Sequence, residues 1–240
     1  MSGNILITGG SKRFGRALAI SLQARGYDVI ITYRNKDGDL SKLSDLGIVC
    51  LKADFSNTKS INNFIDKILK NFSSLRALIH NASDWIPESP DLSLEEVFKK
   101  NISVHVEAPY LMNINFKDLL VNYANENDMA DIIHLTDFVA EKGSSKHIAY
   151  AASKAALSNL TLSFASKFSP KIKVNNIAPA LLMYRDSDDE TYKKKVDKKS
   201  LLPPGPGPDE GIDLVLMLLK SKYITGRTMA LDGGRHLKTC

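Results

Sequence analysis

The feature that most constrains the fold is a regular alternation of short apolar segments with longer amphipathic ones. The first apolar segment, residues 4–8, runs into a glycine turn and is followed by apolar residues at helical spacing. Similar short apolar segments recur at 28–32, 48–51, 77–80, 131–136, 172–177 and 227–231. Strands that alternate with helices are typical of a parallel sheet covered by helices on both faces. The sequence therefore predicts an α/β fold, a doubly wound parallel sheet of about seven strands.

Between these segments, the spacing of apolar residues predicts helices over 57–72, 94–122, 147–168 and 209–220. Pro109 is expected to kink the second of them. No repeat and no change of composition divides the chain, so a single domain over 1–240 is expected. Residues 183–208 are polar and end in a proline and glycine cluster, which predicts a loop. Long loops often close over active sites, so this segment is the predicted substrate lid.

Composition argues against several classes of protein. The net charge of +5 suggests an acidic ligand, but the lysines are scattered apart from two short runs, 193–195 and 198–199. Such runs are typical of a solvated helix face, so no nucleic-acid partner is expected. No apolar run approaches the ~18 residues of a membrane span, and no signal peptide is recognisable, so we expect a cytoplasmic protein without a membrane partner. Cys50 and Cys240 have no metal-ligand spacing, and no metal site is expected.

The turn after the first segment has the features of a phosphate-binding loop. Gly9 allows close approach of the backbone to a pyrophosphate, and the following helix offers free N–H groups at its positive end. The second apolar segment ends at Tyr33 and Arg34, where an NAD-binding protein usually has Asp or Glu. With Lys12 and Arg13 in the loop, three cations and no carboxylate favour the 2′-phosphate of NADPH. The alternative interpretation is that Arg34 is a solvated surface residue.

The helix predicted over 147–168 contains a tyrosine and a lysine in a YxxxK pattern. Tyr150 and Lys154 are four residues apart and therefore lie on one face of a helix. Because a nearby positive charge favours phenolate, Lys154 is expected to lower the pKa of Tyr150. A tyrosine with a lowered pKa can exchange a proton near neutral pH. The pattern is short enough to arise in an ordinary helix, so its meaning depends on the rest of the chain.

These motifs, taken in order, resemble those of the short-chain dehydrogenase/reductase family along nearly the whole chain. The matching stretches are TGGSKRFG at 8–15, ADF at 53–55, NAS at 81–83, YAASK at 150–154, VNNIAP at 174–179 and LDGG at 231–234. Within that family the chain is most similar to the pteridine reductases, the bacterial dihydromonapterin reductases among them, through KRFG, NASDW, HLTDFVAEKGSSKHIAYAASKAAL and DGGRHL. The resemblance implies a Rossmann-type domain, an NADPH/NADP cofactor and a dihydropterin substrate. It also implies a homotetramer, with the long helix and the YxxxK helix at one interface.

The resemblance further implies which residues hold each ligand. The expected cofactor-binding residues are Gly9, Lys12, Arg13, Phe14, Tyr33, Arg34, Asp54, Phe55, Asn81, Ala82, Ser83, Thr136, Tyr150, Lys154 and Pro179. The expected substrate-binding residues are Arg13, Trp85, Asp137, Tyr150, Leu181 and Met183. Trp85 would stack on the pterin ring; the alternative interpretation is that it only fills hydrophobic space.

Three departures from the broader family bear on the chemistry. Arg13 replaces a loop glycine and would contact both cofactor phosphate and ligand. Asp137 replaces the usual catalytic serine, and a carboxyl group suits a ring nitrogen that must be protonated or held. His105 replaces the usual asparagine of the long helix, which puts the family's proton relay in doubt, so no role is assigned to it. The implied catalytic residues are Tyr150, Lys154 and Asp137, and a bound water is an alternative source of the proton.

The implied reaction is hydride transfer from NADPH to C6 of a 7,8-dihydropterin, with a proton delivered to N5. Dihydromonapterin would become tetrahydromonapterin, and dihydrofolate and dihydrobiopterin would be reduced more weakly. One rival is a carbonyl reductase of the 3-ketoacyl type, which is expected to have serine in place of Asp137. The other is a non-catalytic NADPH-binding sensor, against which the intact pair of Tyr150 and Lys154 argues.

Overall fold

Seven strands pair in parallel into one sheet within the residues that the computed structural model describes, 3–35, 39–88, 92–184, 187–202 and 207–238. The strands are β1 (Asn4–Ile7), β2 (Asp28–Tyr33), β3 (Val49–Lys52), β4 (Ala77–His80), β5 (Ala130–Leu135), β6 (Ile172–Pro179) and β7 (Thr228–Leu231). Their order in the sheet is β3-β2-β1-β4-β5-β6-β7. The connection therefore reverses direction between β1 and β4, which is where open α/β sheets form a ligand crevice. The predicted α/β class and parallel sheet are confirmed.

Helices cover both faces of the sheet, because successive strand residues point to opposite sides and both sides are apolar. In β1, Leu6 packs into one hydrophobic cluster and Ile5 and Ile7 into the other. The helices are α1 (Arg13–Ala24), α2 (Leu40–Asp45), α3 (Thr58–Asn71), α4 (Leu94–Ile102), α5 (Ala108–Asn115), α6 (Lys117–Asn127), α7 (Val139–Lys142), α8 (Ile148–Phe168), α9 (Glu190–Asp197) and α10 (Pro208–Lys220). The helices predicted over 57–72, 147–168 and 209–220 thus form within one residue of their predicted ends.

The prediction of one helix over 94–122 is wrong, because that segment is interrupted twice. A π-helical turn, Ser103–Glu107, separates α4 from α5, and the N–H of Ala108 donates to the carbonyl of Ser103, five residues back. Pro109 follows directly and has no N–H to donate to the preceding turn, so the regular α-helical ladder cannot run through this point. A second break at Phe116 separates α5 from α6. Single π turns of this kind are frequent at functional sites.

The prediction that 183–208 is entirely a loop is also wrong, because α9 forms inside it. The side chain of Asp189 caps α9 by accepting a hydrogen bond from the N–H of Tyr192 at 2.6 Å. Val196, within α9, is buried. Residues 185–186 and 203–206, which include most of the proline and glycine cluster, lie outside the described residues, as does Cys240. Among the helices of the described ranges, none has both the length and the apolar character required to cross a membrane.

Candidate active site

A cleft of about 810 Å³ lies at the carboxyl ends of the strands. Parallel strands end at one edge of the sheet, so residues that follow different strands meet there. The structure brings every residue predicted to bind cofactor or substrate to the wall of this one cleft. What each of them binds stays a prediction.

The glycine turn between β1 and α1 is held rigidly by the turn that follows β4. Gly9 has φ of +65°, and a Cβ there would lie 2.8 Å from the Cα of Ala82. Only glycine fits this conformation and this close approach. The side-chain amide of Asn81 donates to the carbonyls of Thr8 and Gly9, at 3.0 and 2.9 Å. Arg13 has φ of +47°, in the left-handed region that favours glycine, at the position where the broader family has one.

Arg34 lies where the sequence placed it, at the end of β2, and a carboxylate from a different loop pairs with it. Asp84, from the loop after β4, accepts a hydrogen bond from the guanidinium of Arg34. The side chain of Arg34 is 51% exposed, and ion pairs in such positions contribute little net free energy. A ligand phosphate therefore competes easily with Asp84 for this guanidinium. Asp54 is turned toward its own loop, where it accepts from the N–H of Ser56 at 3.0 Å.

Lys154 is buried in α8 and points toward the end of β5. Its Nζ donates to the carbonyl of Leu135 at 2.8 Å. Burial lowers the pKa of Lys154 to about 8, and the negative charge of Asp137 opposes this shift. Because an ammonium has three N–H donors and Leu135 accepts from one of them, Lys154 keeps further donors for a hydroxyl in the cleft.

Tyr150 and Asp137 form a hydrogen-bonded pair on the floor of the cleft. The hydroxyl of Tyr150 donates to Oδ2 of Asp137 at 2.9 Å, and Oδ1 of Asp137 accepts from the N–H of Val139 at 2.9 Å. Burial raises the pKa of Asp137. The pKa of Tyr150 is raised well above its ordinary value, by burial first and by the charge of Asp137 second. The net shift is therefore opposite to the predicted lowering: the Nζ of Lys154 lies 5.6 Å from the centroid of the Tyr150 ring, and burial together with the charge of the nearer Asp137 outweighs its effect.

His105, to which the sequence assigned no role, lies directly behind this pair. Its ring packs edge-on against that of Tyr150, with centroids 5.4 Å apart. One ring nitrogen lies 2.9 Å from the hydroxyl of Ser83 and the other 2.8 Å from that of Ser153. In the sequence, His105 could have been singled out because it replaces the asparagine that the family usually has there. A spacing along the chain, however, does not show which hydroxyl groups a side chain contacts.

Other side chains of the cleft wall were not predicted: His147, Tyr192, Lys199 and Arg235. Trp85 is 49% exposed and pairs with the ring of His147 at 4.4 Å between centroids, so it is not core filling. The guanidinium of Arg235 lies 5.2 Å from the centroid of Phe138. Arg235 lies in the DGGRHL stretch, and the similarity of that stretch to the pteridine reductases could have identified Arg235 as a site residue. Over the described part of the chain, no group of three or more His, Cys, Asp or Glu residues is placed to hold a metal ion.

Comparison with known proteins agrees with the geometry of the cleft. The family model described as enoyl-(acyl carrier protein) reductase matches residues 11–236. A dihydromonapterin reductase of Escherichia coli is 47% identical over 98% of this chain and 97% of that protein, and one of Klebsiella pneumoniae is 46% identical with the same coverage. The structure of FolM alternative dihydrofolate reductase 1 from Brucella canis, complexed with NADP, is similar with a TM-score of 0.85, 25% identity and coverage of 99% of this chain and 95% of that one. The chain therefore belongs to the short-chain dehydrogenase/reductase family, as its motifs predicted.

Proposed function

We propose that this protein is an NADPH-dependent dihydropterin reductase. It reduces 7,8-dihydromonapterin to the tetrahydro form, and dihydrofolate and dihydrobiopterin more weakly. The observation that carries the proposal is the hydrogen bond between Tyr150 and Asp137 at 2.9 Å, which puts a carboxyl group where the broader family has a serine. Identity of 47% to a dihydromonapterin reductase over nearly the whole chain supports it.

The residues at the adenosine end of the cleft fit NADPH. The positive φ of Gly9 leaves room that a Cβ would fill, and the start of α1 directs its N–H groups at that space. Lys12, Arg13 and Arg34 supply positive charge for the pyrophosphate and the 2′-phosphate. The bound cofactor supplies the hydride. Lys154 would hold a ribose hydroxyl and so help to orient the cofactor.

Tyr150 supplies the proton that the reduction requires, and Asp137 orients the tyrosine. A hydride adds to C6, the C=N double bond becomes a single bond, and N5 takes one proton. The raised pKa of Tyr150 keeps its hydroxyl protonated at neutral pH, so the proton is available at the floor of the cleft. The ammonium of Lys154 stabilises the phenolate that is left, and solvent restores its proton. Asp137 orients the Tyr150 hydroxyl and receives a pterin N–H while it is ionised.

A direct test compares substrates under one set of conditions. Purified protein is mixed with NADPH and, in parallel, with dihydromonapterin, dihydrobiopterin, dihydrofolate and a 3-ketoacyl thioester, and the loss of reduced nicotinamide absorbance is followed. The fastest turnover is expected with dihydromonapterin and a slower one with dihydrofolate. Turnover of the thioester alone would establish the carbonyl reductase, and tight NADPH binding without turnover would establish the sensor. Asp137→Ser should weaken reduction of the dihydropterin relative to that of a carbonyl substrate.

The cofactor preference has its own test at Arg34. Arg34→Gln removes the charge beside the 2′-phosphate, so we expect KM for NADPH to rise by about tenfold or more while KM for NADH is nearly unchanged. Arg25→Gln, on the surface at the end of α1, is the matched control. An equal rise in KM for NADPH and for NADH in Arg34→Gln would show that Arg34 does not recognise the 2′-phosphate.

We further propose a cytoplasmic homotetramer in which α4, α5 and α8 form one interface. Phe98, Tyr110 and Leu162 project from these helices and are 51%, 48% and 55% exposed. Apolar side chains of this size cost free energy in water, and a second copy of the same surface would cover them. The molar mass from light scattering tests this: four chains are expected for the native protein and fewer for Phe98→Asp. An unchanged mass for Phe98→Asp together with Leu162→Asp would place the interface elsewhere.

A further inference from the structure

The cleft has a second group of cations, on the side away from the glycine turn. In the sheet, β2 with Arg34 lies toward one edge, β5 lies further along, and β7 forms the other edge. Arg235 follows β7 and Lys199 follows α9, and both side chains line the cleft wall. The pair of Tyr150 and Asp137 lies between the two groups, because Asp137 follows β5. The proposed cofactor phosphates belong to the first group, so the second is left for another ligand.

Lys199 and Arg235 project from two turns that are hydrogen-bonded to each other. The N–H groups of Leu201 and Leu202 both donate to the carbonyl of Gly233, at 2.9 and 3.0 Å. Lys199 lies two residues before Leu201, and Arg235 lies two residues after Gly233. The backbone therefore holds both cations at the same end of the cleft.

Arg235 also lies close to the pair of Tyr150 and Asp137. Its guanidinium is 5.2 Å from the centroid of Phe138, which directly follows Asp137 in the chain. In the proposed reaction, C6 of the dihydropterin lies beside that pair, and C6 carries the side chain in which dihydropterins differ. A side chain that extends away from the cofactor phosphates therefore reaches Arg235.

No ion pair within the described ranges includes the side chain of Arg235 or of Lys199. Asp232, the acid nearest to Arg235 in the chain, accepts from Nδ1 of His236 at 2.6 Å. Asp188 also lines the cleft, but it precedes α9 and Lys199 follows it, with the 8 residues of the helix between them. Burial lowers the pKa of Lys199, and neighbouring positive charges, Arg235 first, lower it further. An anion at this end of the cleft would relieve that repulsion.

We propose that Arg235 and Lys199 form a subsite for an anionic group at the end of the C6 side chain of the substrate. The anion is a phosphate ester on a hydroxyalkyl chain or the glutamate carboxylates of dihydrofolate, and a guanidinium with an ammonium binds either of them. The inference rests on the proposed dihydropterin reduction, which places C6 beside Tyr150 and Asp137. The cleft then has one group of cations for the cofactor and another for the substrate.

Pairs of substrates that differ only in charge test the subsite. Dihydromonapterin is compared with its side-chain phosphate ester, and dihydrofolate with its dimethyl ester, all at saturating NADPH. For the wild type we expect KM to be about tenfold lower for the charged member of at least one pair, and that pair identifies the source of the anion. Added salt should raise KM for that charged member more than for its neutral partner.

Substitutions then assign this KM ratio to the two cations. Arg235→Gln and Lys199→Gln should each reduce the ratio by about threefold, and the double variant should bring it to about one. Arg235→Lys keeps the charge and should keep most of the ratio. Lys198→Gln is the matched control, because Lys198 is exposed beside Lys199 and does not line the cleft; its ratio should equal that of the wild type. A role that is only structural would raise KM for both members of a pair by the same factor.

Two results would overturn the subsite while dihydromonapterin is still reduced, and both leave the proposed function standing. One is an equal KM for the charged and neutral members of both pairs in the wild type. The other is a ratio that the double variant leaves unchanged. If no dihydropterin is reduced, the proposed function fails, and calorimetric titration of the NADP-saturated protein with folate and with its dimethyl ester decides the subsite. Tighter binding of folate would support the subsite, and equal binding or none would overturn it.

Discussion

Two buried histidine networks lie on the same side of the sheet, and they differ in what they reach. One is centred on His105, whose ring packs against that of Tyr150, and ends at Ser83. The other joins His80 and His134, neighbours in β4 and β5 whose ring centroids are 5.1 Å apart. Both networks attach to α8 through a hydroxyl. The residue types are nearly the same, so composition does not distinguish them.

In the network of His80 and His134, each hydrogen bond fixes which group donates in the next one. We call this network closed. Oγ1 of Thr161 donates to the carbonyl of Leu157, so it accepts from Nδ1 of His134 at 2.8 Å. Nε2 of His134 accepts from the amide of Asn113 at 3.1 Å, and the carbonyl oxygen of Asn113 accepts from Nε2 of His80 at 2.8 Å. The network of His105 instead ends at the hydroxyl of Ser83, in the wall of the cleft. The difference predicts that the first network contributes to stability and the second to activity.

We expect the largest loss of activity from a substitution of Tyr150, whose ring packs against His105. Tyr150→Phe removes the hydroxyl that we propose as the proton donor, so kcat should fall by about 10²–10⁴-fold. The free energy of unfolding from urea titration should change by less than ~1 kcal/mol, since the ring is kept. Tyr110→Phe, on the exposed face of α5, is the matched control. A fall in kcat of less than about tenfold would remove Tyr150 from the chemistry.

Asn113→Ala breaks the closed network at its centre. It leaves a donor of His80 and an acceptor of His134 without partners in the interior, so the free energy of unfolding should fall by about 3 kcal/mol. The kcat of the folded protein should stay within about threefold of the wild type. Asn115→Ala, two residues further along α5 and exposed, is the control and should cost less than ~0.5 kcal/mol. A selective loss of kcat in Asn113→Ala would show that the two networks are not separate.

Lowering the pH should destabilise the folded protein through the histidines of both networks. Burial lowers the pKa of His80 to about 4, and it also lowers the pKa values of His105 and His134. The folded state therefore binds fewer protons than the unfolded state below pH ~6.5, and the stability present above that pH is lost as the pH falls toward 4. For His80 alone the loss from pH ~6.5 to ~5 is about 2 kcal/mol. Urea unfolding across this range measures the slope, and a flat profile would mean that the histidines are already protonated in the folded state.

We expect the smallest change in the free energy of unfolding when an exposed ion pair outside both networks is removed. Lys99 in α4 pairs with Glu95 at 2.5 Å, and both side chains are about 70% exposed. Lys99→Ala should change the free energy of unfolding by less than ~0.5 kcal/mol and leave kcat unchanged. A loss of more than ~1 kcal/mol in the same urea titration would show that surface substitutions alone can produce effects of the size expected for Asn113→Ala.

Most of the fold could be predicted from the sequence because its signals are local. The strands are short apolar runs, and the helices α3, α8 and α10 show the spacing of their buried faces within a few turns. Residues that follow parallel strands meet at one edge of the sheet whatever the details of packing, which is why all of the predicted site residues line one cleft. The broken helix after Ile102 and the short α9 were missed because a π turn and a helix of eight residues depend on neighbours far along the chain.

The sequence by itself determined the α/β class and the glycine turn, because periodicity and glycine conformation act over a few residues, and its family motifs identified part of the cleft wall. Only the tertiary structure decided the pairing of Arg34 with Asp84, the direction in which the pKa of Tyr150 shifts and the partners of His105. Each of these depends on burial and on charges or hydroxyls that lie 13 to 50 residues away in the chain. Electrostatic interactions depend on distance in space and on the exclusion of water, and a spacing along the sequence encodes neither.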